Sequence, residues 1–156
     1  MIDKETLSKY RAEVIERFIN IEWMINAIIC QHYLKKVITS FMLEVLYDPY
    51  FSFALRRRIL EKILKNINKY DKQVIEDLHQ LNNIRNLFAH CGQEFIMLTD
   101  KPLKRKVIDP RDIEKELDFE SLHDDFMKIV GGVEKYLVKL QYDLGVTLIT
   151  KLPETQ

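Results

Sequence analysis

The residues best equipped for chemistry in this 156-residue chain stand in one stretch, Leu81-Asn82-Asn83-Ile84-Arg85-Asn86-Leu87-Phe88-Ala89-His90-Cys91-Gly92. An imidazole such as that of His90 can take a proton from a hydroxyl or give one to a leaving oxygen. A guanidinium such as that of Arg85 grips the nonbridging oxygens of a phosphate and stabilises charge growing on them. The carboxamide of Asn86 can orient the imidazole or hold the phosphate. On a helix, about 100° of rotation per residue sets Asn86 and His90 about 40° apart and Arg85 about 140° from His90. Arg85 therefore turns toward Leu78 and Leu81, where a cation needs an anion. Two readings follow: a carboxylate of Glu76 or Asp77 meets it, or the place is open to a ligand phosphate. His90 also has two readings, because an imidazole two residues before a helix-ending glycine suits the carbonyls and negative dipole of a helix C-terminus.

The elements that must position this stretch are helical. No glycine precedes Gly92 and no proline precedes Pro49, so nothing breaks long helices early in the chain. Leu7, Tyr10, Val14, Ile21, Met24 and Ile28 recur at steps of three and four or their sums, which predicts a helix from about Thr6 to Leu34. Ile15, Ile19 and Trp23 form a second apolar face on it. A helix apolar over most of its circumference must be covered over most of it, by another subunit or as the central helix of a monomeric bundle. Val37 to Leu46 predicts a shorter helix that stops at Asp48-Pro49. Arg56 to Lys69 is amphipathic through Leu60, Ile63, Leu64 and Ile67. Asp71 can cap the next helix, which carries Val74, Leu78, Leu81 and Phe88 toward a stop at Gly92.

Beyond that helix, Phe95 to Leu98 and Val107-Ile108 are β-prone and flank Thr99-Asp100-Lys101-Pro102, which predicts a small hairpin or an ordered loop. Asp109-Pro110 is expected to restart helix. Phe119, Leu122, Phe126, Ile129, Val133, Tyr136 and Leu140 alternate as a and d positions of a last helix. Its Gly131-Gly132 pair costs about 1 kcal/mol per glycine relative to alanine, which points to a close helix approach or a kink. The expected fold is an all-α, five- to six-helix up-and-down bundle with a short loop or hairpin insertion over residues 93 to 108. Residues 1 to 152 form one domain and 153 to 156 a frayed tail.

Composition narrows the class. The chain is 47% hydrophobic and 31% charged, with four glycines and four prolines, which excludes a disordered or low-complexity chain. Two cysteines, Cys30 and Cys91, are too few for a disulfide framework and fit a reducing cytosol. Cys91 reads as a packed thiol, since nothing marks a base for it. His32, His79 and His123 lack HExxH or CxxC companions, so no metal site is expected. P-loop, GxSxG and GxGxxG motifs are missing, which excludes the common NTPase, hydrolase and dinucleotide readings. Met1-Ile2-Asp3-Lys4-Glu5 is expected to be neither a secretory signal nor a transit peptide. Glu22, Asn26 and Gln31 interrupt the longest apolar stretches, so no membrane span is expected and the protein reads as cytoplasmic.

Arg85-Asn86, three residues, then His90, on the penultimate long helix of a small α-bundle, resembles the R-x4-6-H signature of HEPN domains. Many of these are toxin, abortive-infection or CRISPR-associated ribonucleases. The resemblance spans the helical plan, and its specific part is Leu81 to His90. Asn86 after the arginine, Ala89 before the histidine and the lead-in Leu78, Leu81 and Ile84 all fit. With eight arginines, seven asparagines and four histidines in the chain, about 0.01 matches to RN-x-x-x-H are expected by chance. The resemblance implies a homodimer whose two motifs face each other across a cleft and cleave single-stranded RNA without metal or cofactor. His90 would be the acid/base, Arg85 the phosphate clamp and Asn86 the orienting residue. Toxin or phage-defence roles, and an antitoxin protein as partner, belong to the same expectation. Repressors of the mannitol-operon type keep a similar helix without known nuclease activity. They imply the alternative of a noncatalytic regulator or interaction module that binds nucleotide, RNA or a protein.

The net charge of zero hides unlike parts: +5 over residues 54 to 72, +3 over 100 to 106 and −6 over 109 to 125. Arg56 and Arg57, with Lys101, Lys104 and Arg105, are candidates to line a phosphate-binding groove. The plainer reading is a solvated face, and three consecutive arginines cannot all point one way. The acidic segment could mask the cleft or meet a basic partner.

Overall fold

The computed structural model describes residues 4–90, 108–109 and 112–146. They form an all-α bundle with one short strand pair: α1 (Lys4–Leu34), α2 (Thr39–Phe41) continuing as a π-helical turn (Met42–Leu46), α3 (Phe53–Asn66), α4 (Lys72–His90), β1 (Ile108–Asp109), β2 (Asp112–Glu116) and α5 (Phe119–Asp143). Among the described residues, no helix is long and apolar enough to cross a membrane.

Helix ends follow from local chemistry. Ser52 Oγ accepts from the amide of Leu55 at 3.2 Å and starts α3 three residues before the amphipathic pattern begins. Asp71 caps α4 by accepting from the amides of Gln73 at 2.9 Å and Val74 at 3.4 Å. Asn68, at φ 56°, turns the chain after α3, a left-handed position that asparagine tolerates. Gly145, at φ 68°, does the same after α5, where the amide of Val146 returns to the carbonyl of Gln141.

Long-range contacts fix the directions. His123 meets Glu13, Glu134 meets Arg17, and Gln141 donates to the carbonyl of Met24, so α5 runs in the same sense as α1. Phe53 against Phe18 and Arg56 against Glu22 align α3 with them. The segment after α1 runs back, placing Tyr47 beside Trp23. In α4 the chain returns again: Phe88 packs edge-on against Phe119 at the start of α5, while Lys69, just before α4, pairs with Asp143 at its end. Up-and-down order is thus kept through five helices. The core joins Phe18, Ile21, Ile25 and Ile28 of α1, Leu60, Ile63 and Leu64 of α3, Leu78, Leu81 and Phe88 of α4, and Phe126, Val130 and Leu137 of α5.

The breadth of the apolar surface on α1 has its cause mainly within the chain. Helices α3, α4 and α5 and the π-helical turn all pack on it. Asn26, Ala27 and Cys30, away from the main core stripe, are all buried. The exceptions among the large apolar residues are Ile19 and Trp23, 45% and 38% exposed, and Tyr33 and Leu34 at the C-terminal end.

Two expectations need correction. Asp109-Pro110 does not restart helix: Asp109 ends β1 and stands opposite Asp112 of β2, and Ile108 stands opposite Glu116, with an irregularity between the two pairs. Helix resumes only at Phe119, where Asp118 accepts from the amides of Glu120 at 3.1 Å and Ser121 at 3.2 Å. A carboxylate with two free amides ahead of it fixes that start better than a proline in a segment of alternating charge. Gly131 and Gly132 mark no close approach, since a Cβ at either would meet nothing within 4 Å, and α5 continues through them. The stretch expected to form a hairpin, 93 to 108, lies outside the described residues except for Ile108.

Candidate active site at the end of the fourth helix

The core side of α4 is set by Val74, Leu78, Leu81, Ile84, Leu87 and Phe88. Arg85 stands on the flank of that side and is half-buried. Its guanidinium carbon lies 4.7 Å from the centroid of the Phe18 ring. Phe18 is buried in the core and leans on Phe53, ring centroids 4.7 Å apart. The cation thus sits on a braced aromatic face, an arrangement favoured by the ring quadrupole.

Neither carboxylate expected to meet Arg85 does so. Asp77 accepts from the Gln73 amide at 2.7 Å, and Glu76 pairs with Lys72 at 3.3 Å. Both face their own helix. Among the described residues Arg85 makes no hydrogen bond or ion pair beyond its contact with Phe18. A guanidinium held by a ring rather than by an anion keeps its N–H donors available, the fork that meets a phosphate or carboxylate with two parallel bonds.

Asn86 is half-buried and His90 is exposed in the last turn of α4. Among the described residues neither side chain is hydrogen-bonded, so no contact of His90 with the carbonyls of its helix is seen. Arg85, Asn86 and His90 therefore end the same helix without a hydrogen-bond partner for their side chains among the described residues. Cys91 and Gly92 lie outside the described residues.

The basic candidates divide. Arg56 is not a surface residue, and the expectation that it contacts RNA is withdrawn: it is 7% exposed. One of its terminal nitrogens pairs with Glu22 at 3.0 Å, the other donates to the carbonyl of Leu46 at 3.1 Å, and the group lies 5.4 Å from the Tyr47 ring. The partner carboxylate is 34 positions away in sequence, so the local charge pattern did not reveal it. Arg57 is half-buried and Arg58 exposed, which spreads the three arginines over different directions. Lys69 is met by Asp143 and Lys65 by Glu61, both at 2.7 Å. Glu61 is already counted in the +5 of residues 54 to 72, and Glu22, Asp143 and Glu76 from outside the run offset Arg56, Lys69 and Lys72, so its positive field is weaker than its formal charge. Lys101, Lys104 and Arg105 lie outside the described residues.

The residue that sequence reasoning missed is Phe18. Its spacing from Val14 and Ile21, four and three residues, places it with the core stripe of α1. Its contact with Arg85 joins positions 67 apart and has no local signal. No family model matches the chain, and neither does any curated protein or solved structure.

Proposed function

We propose that the end of α4 binds an RNA phosphodiester and that the protein is a metal-independent endoribonuclease of HEPN type. The observation that carries this reading is Arg85: a half-buried guanidinium, seated on a buried ring, with no anion among the described residues to meet it. A phosphate supplies that anion. His90, exposed in the last turn of α4, can reach the ribose 2′-hydroxyl as base or the leaving 5′-oxygen as acid. Asn86, on the same side as His90, orients the imidazole or adds a bond to the phosphate. Arg85 and His90 diverge by about 140° around the helix, so one phosphate is met more easily by Arg85 of one copy and His90 of another. That makes a homodimer the working form, with single-stranded RNA as substrate. A cytoplasmic toxin or phage-defence role, held in check by an antitoxin protein, is the setting such an activity fits.

The test is incubation of purified protein with single-stranded RNA in EDTA. Cleavage that disappears in Arg85→Ala and in His90→Ala supports the reading. Intact RNA, or cleavage that survives both substitutions, refutes it, and RNA binding without cleavage would favour the noncatalytic module instead.

A further inference from the structure

We infer that Phe18 is a positioning residue for the clamp, and that its ring, rather than a carboxylate, sets the orientation of the Arg85 guanidinium. The inference rests on the reading of Arg85 as a phosphate clamp and extends the site from α4 to α1. Arginines placed beside apolar side chains are ordinarily held by an anion, as Arg56 is held by Glu22. An anion that holds the guanidinium also occupies the edge that would bind substrate. An aromatic ring holds the same group by its face and leaves the edge free. The ring is itself fixed: Phe18 is 1% exposed, and Phe53 from the first turn of α3 braces it. Three helices thereby define where the guanidinium sits before any ligand arrives, and pre-organised donors of this kind need no rearrangement when charge develops. Lysine could not replace arginine here, because an ammonium has no planar fork to be stacked and aimed.

The experiment follows the Arg85 Nε–H signal by proton–nitrogen NMR and cleavage kinetics in the same variants. In the wild type the Arg85 proton, assigned by its loss in Arg85→Lys, lies upfield through the ring current of Phe18 and moves on titration with inorganic phosphate. In Phe18→Leu, checked for a cooperative melt, the upfield displacement is lost, phosphate binds about tenfold more weakly, and kcat falls about tenfold. In the Arg85→Lys background the same Phe18→Leu change has no further effect on kcat, within about twofold; a merely structural role for Phe18 would add its full loss there. Phe18→Tyr, which keeps the ring, retains the upfield signal. An Arg85 proton without upfield displacement in the wild type overturns the inference, whether or not Phe18→Leu folds. So does a folded Phe18→Leu protein with unchanged kcat and phosphate affinity. If the wild type shows the displaced signal and binds phosphate but leaves RNA intact, the ribonuclease reading fails while the positioning role of Phe18 stands.

Discussion

Two arginines of this bundle lie against apolar surface and are treated in opposite ways. Arg56, in the first turn of α3, is buried and held from three sides: Glu22, the carbonyl of Leu46 and the ring of Tyr47. Arg85, in the last turns of α4, is half-buried and held by the ring of Phe18 alone among the described residues. Both stand next to the same helix, α1, so the difference does not come from general position. It comes from what α1 offers: a carboxylate at 22, and four residues earlier a phenyl ring at 18. The first closes a structural joint between α1, α3 and the π-helical turn. The second leaves the guanidinium without an anion among the described residues. A buried cation is thus evidence of a ligand site only after its internal anion has been looked for and not found.

The largest effect expected is on stability at the closed joint. Arg56→Met strands Glu22, whose side chain is 12% exposed, and should destabilise by about 3–5 kcal/mol in urea unfolding. Adding Glu22→Leu should recover most of that loss, because the stranded charge is then gone. Arg85→Met has no carboxylate to strand and should shift stability by about 1 kcal/mol or less. Equal losses at the two arginines would erase the distinction. On activity the order reverses: Arg85→Ala should reduce RNA cleavage by about 100- to 1000-fold, whereas the folded fraction of Arg56→Met should cleave like the wild type.

Smaller effects supply the baseline. A Cβ at Gly131 would face open space, so Gly131→Ala should stabilise α5 by about 1 kcal/mol without altering cleavage. The exposed pair Lys69–Asp143 gives the weakest signal. The hydrogen bond from Lys69 holds the Asp143 carboxyl below its ordinary value of 3.8. A carboxylate depressed on folding contributes stability above its unfolded pKa and loses it as pH falls through the folded one. Lys69→Met should therefore flatten the acid side of the stability profile slightly, below about pH 4, and leave neutral pH nearly unchanged.

Much of the fold was legible because helices announce themselves locally. The length of α1, the Asp71 cap, the halt at Asp48-Pro49 and the a/d pattern of α5 each depend on residues within a few positions of one another. The all-α class and the order of helices followed. The strand pair at Ile108–Asp109 and Asp112–Glu116 was not legible: a turn and a helix start share Asp-Pro as a signal, and the sequence alone does not say which prevails. Gly131-Gly132 misled in the opposite direction, since glycine shows only that a side chain is missing and not that a neighbour fills the gap. At the candidate site, Arg85, Asn86 and His90 were found from spacing, and so was the question of which anion meets Arg85. The answer required α1, because Phe18 and Glu22 are separated from their arginines by dozens of residues. For the same reason Arg56 was placed on a basic surface it does not belong to.

The most direct measurement is cleavage of single-stranded RNA in EDTA by the wild type, Arg85→Ala, His90→Ala and Arg56→Met, each at equal folded concentration. The expected result is cleavage by the wild type and Arg56→Met and none by the other two. Cleavage lost only in Arg56→Met, or unaffected by Arg85→Ala and His90→Ala, would contradict the assignment of the open arginine to function and the closed one to structure.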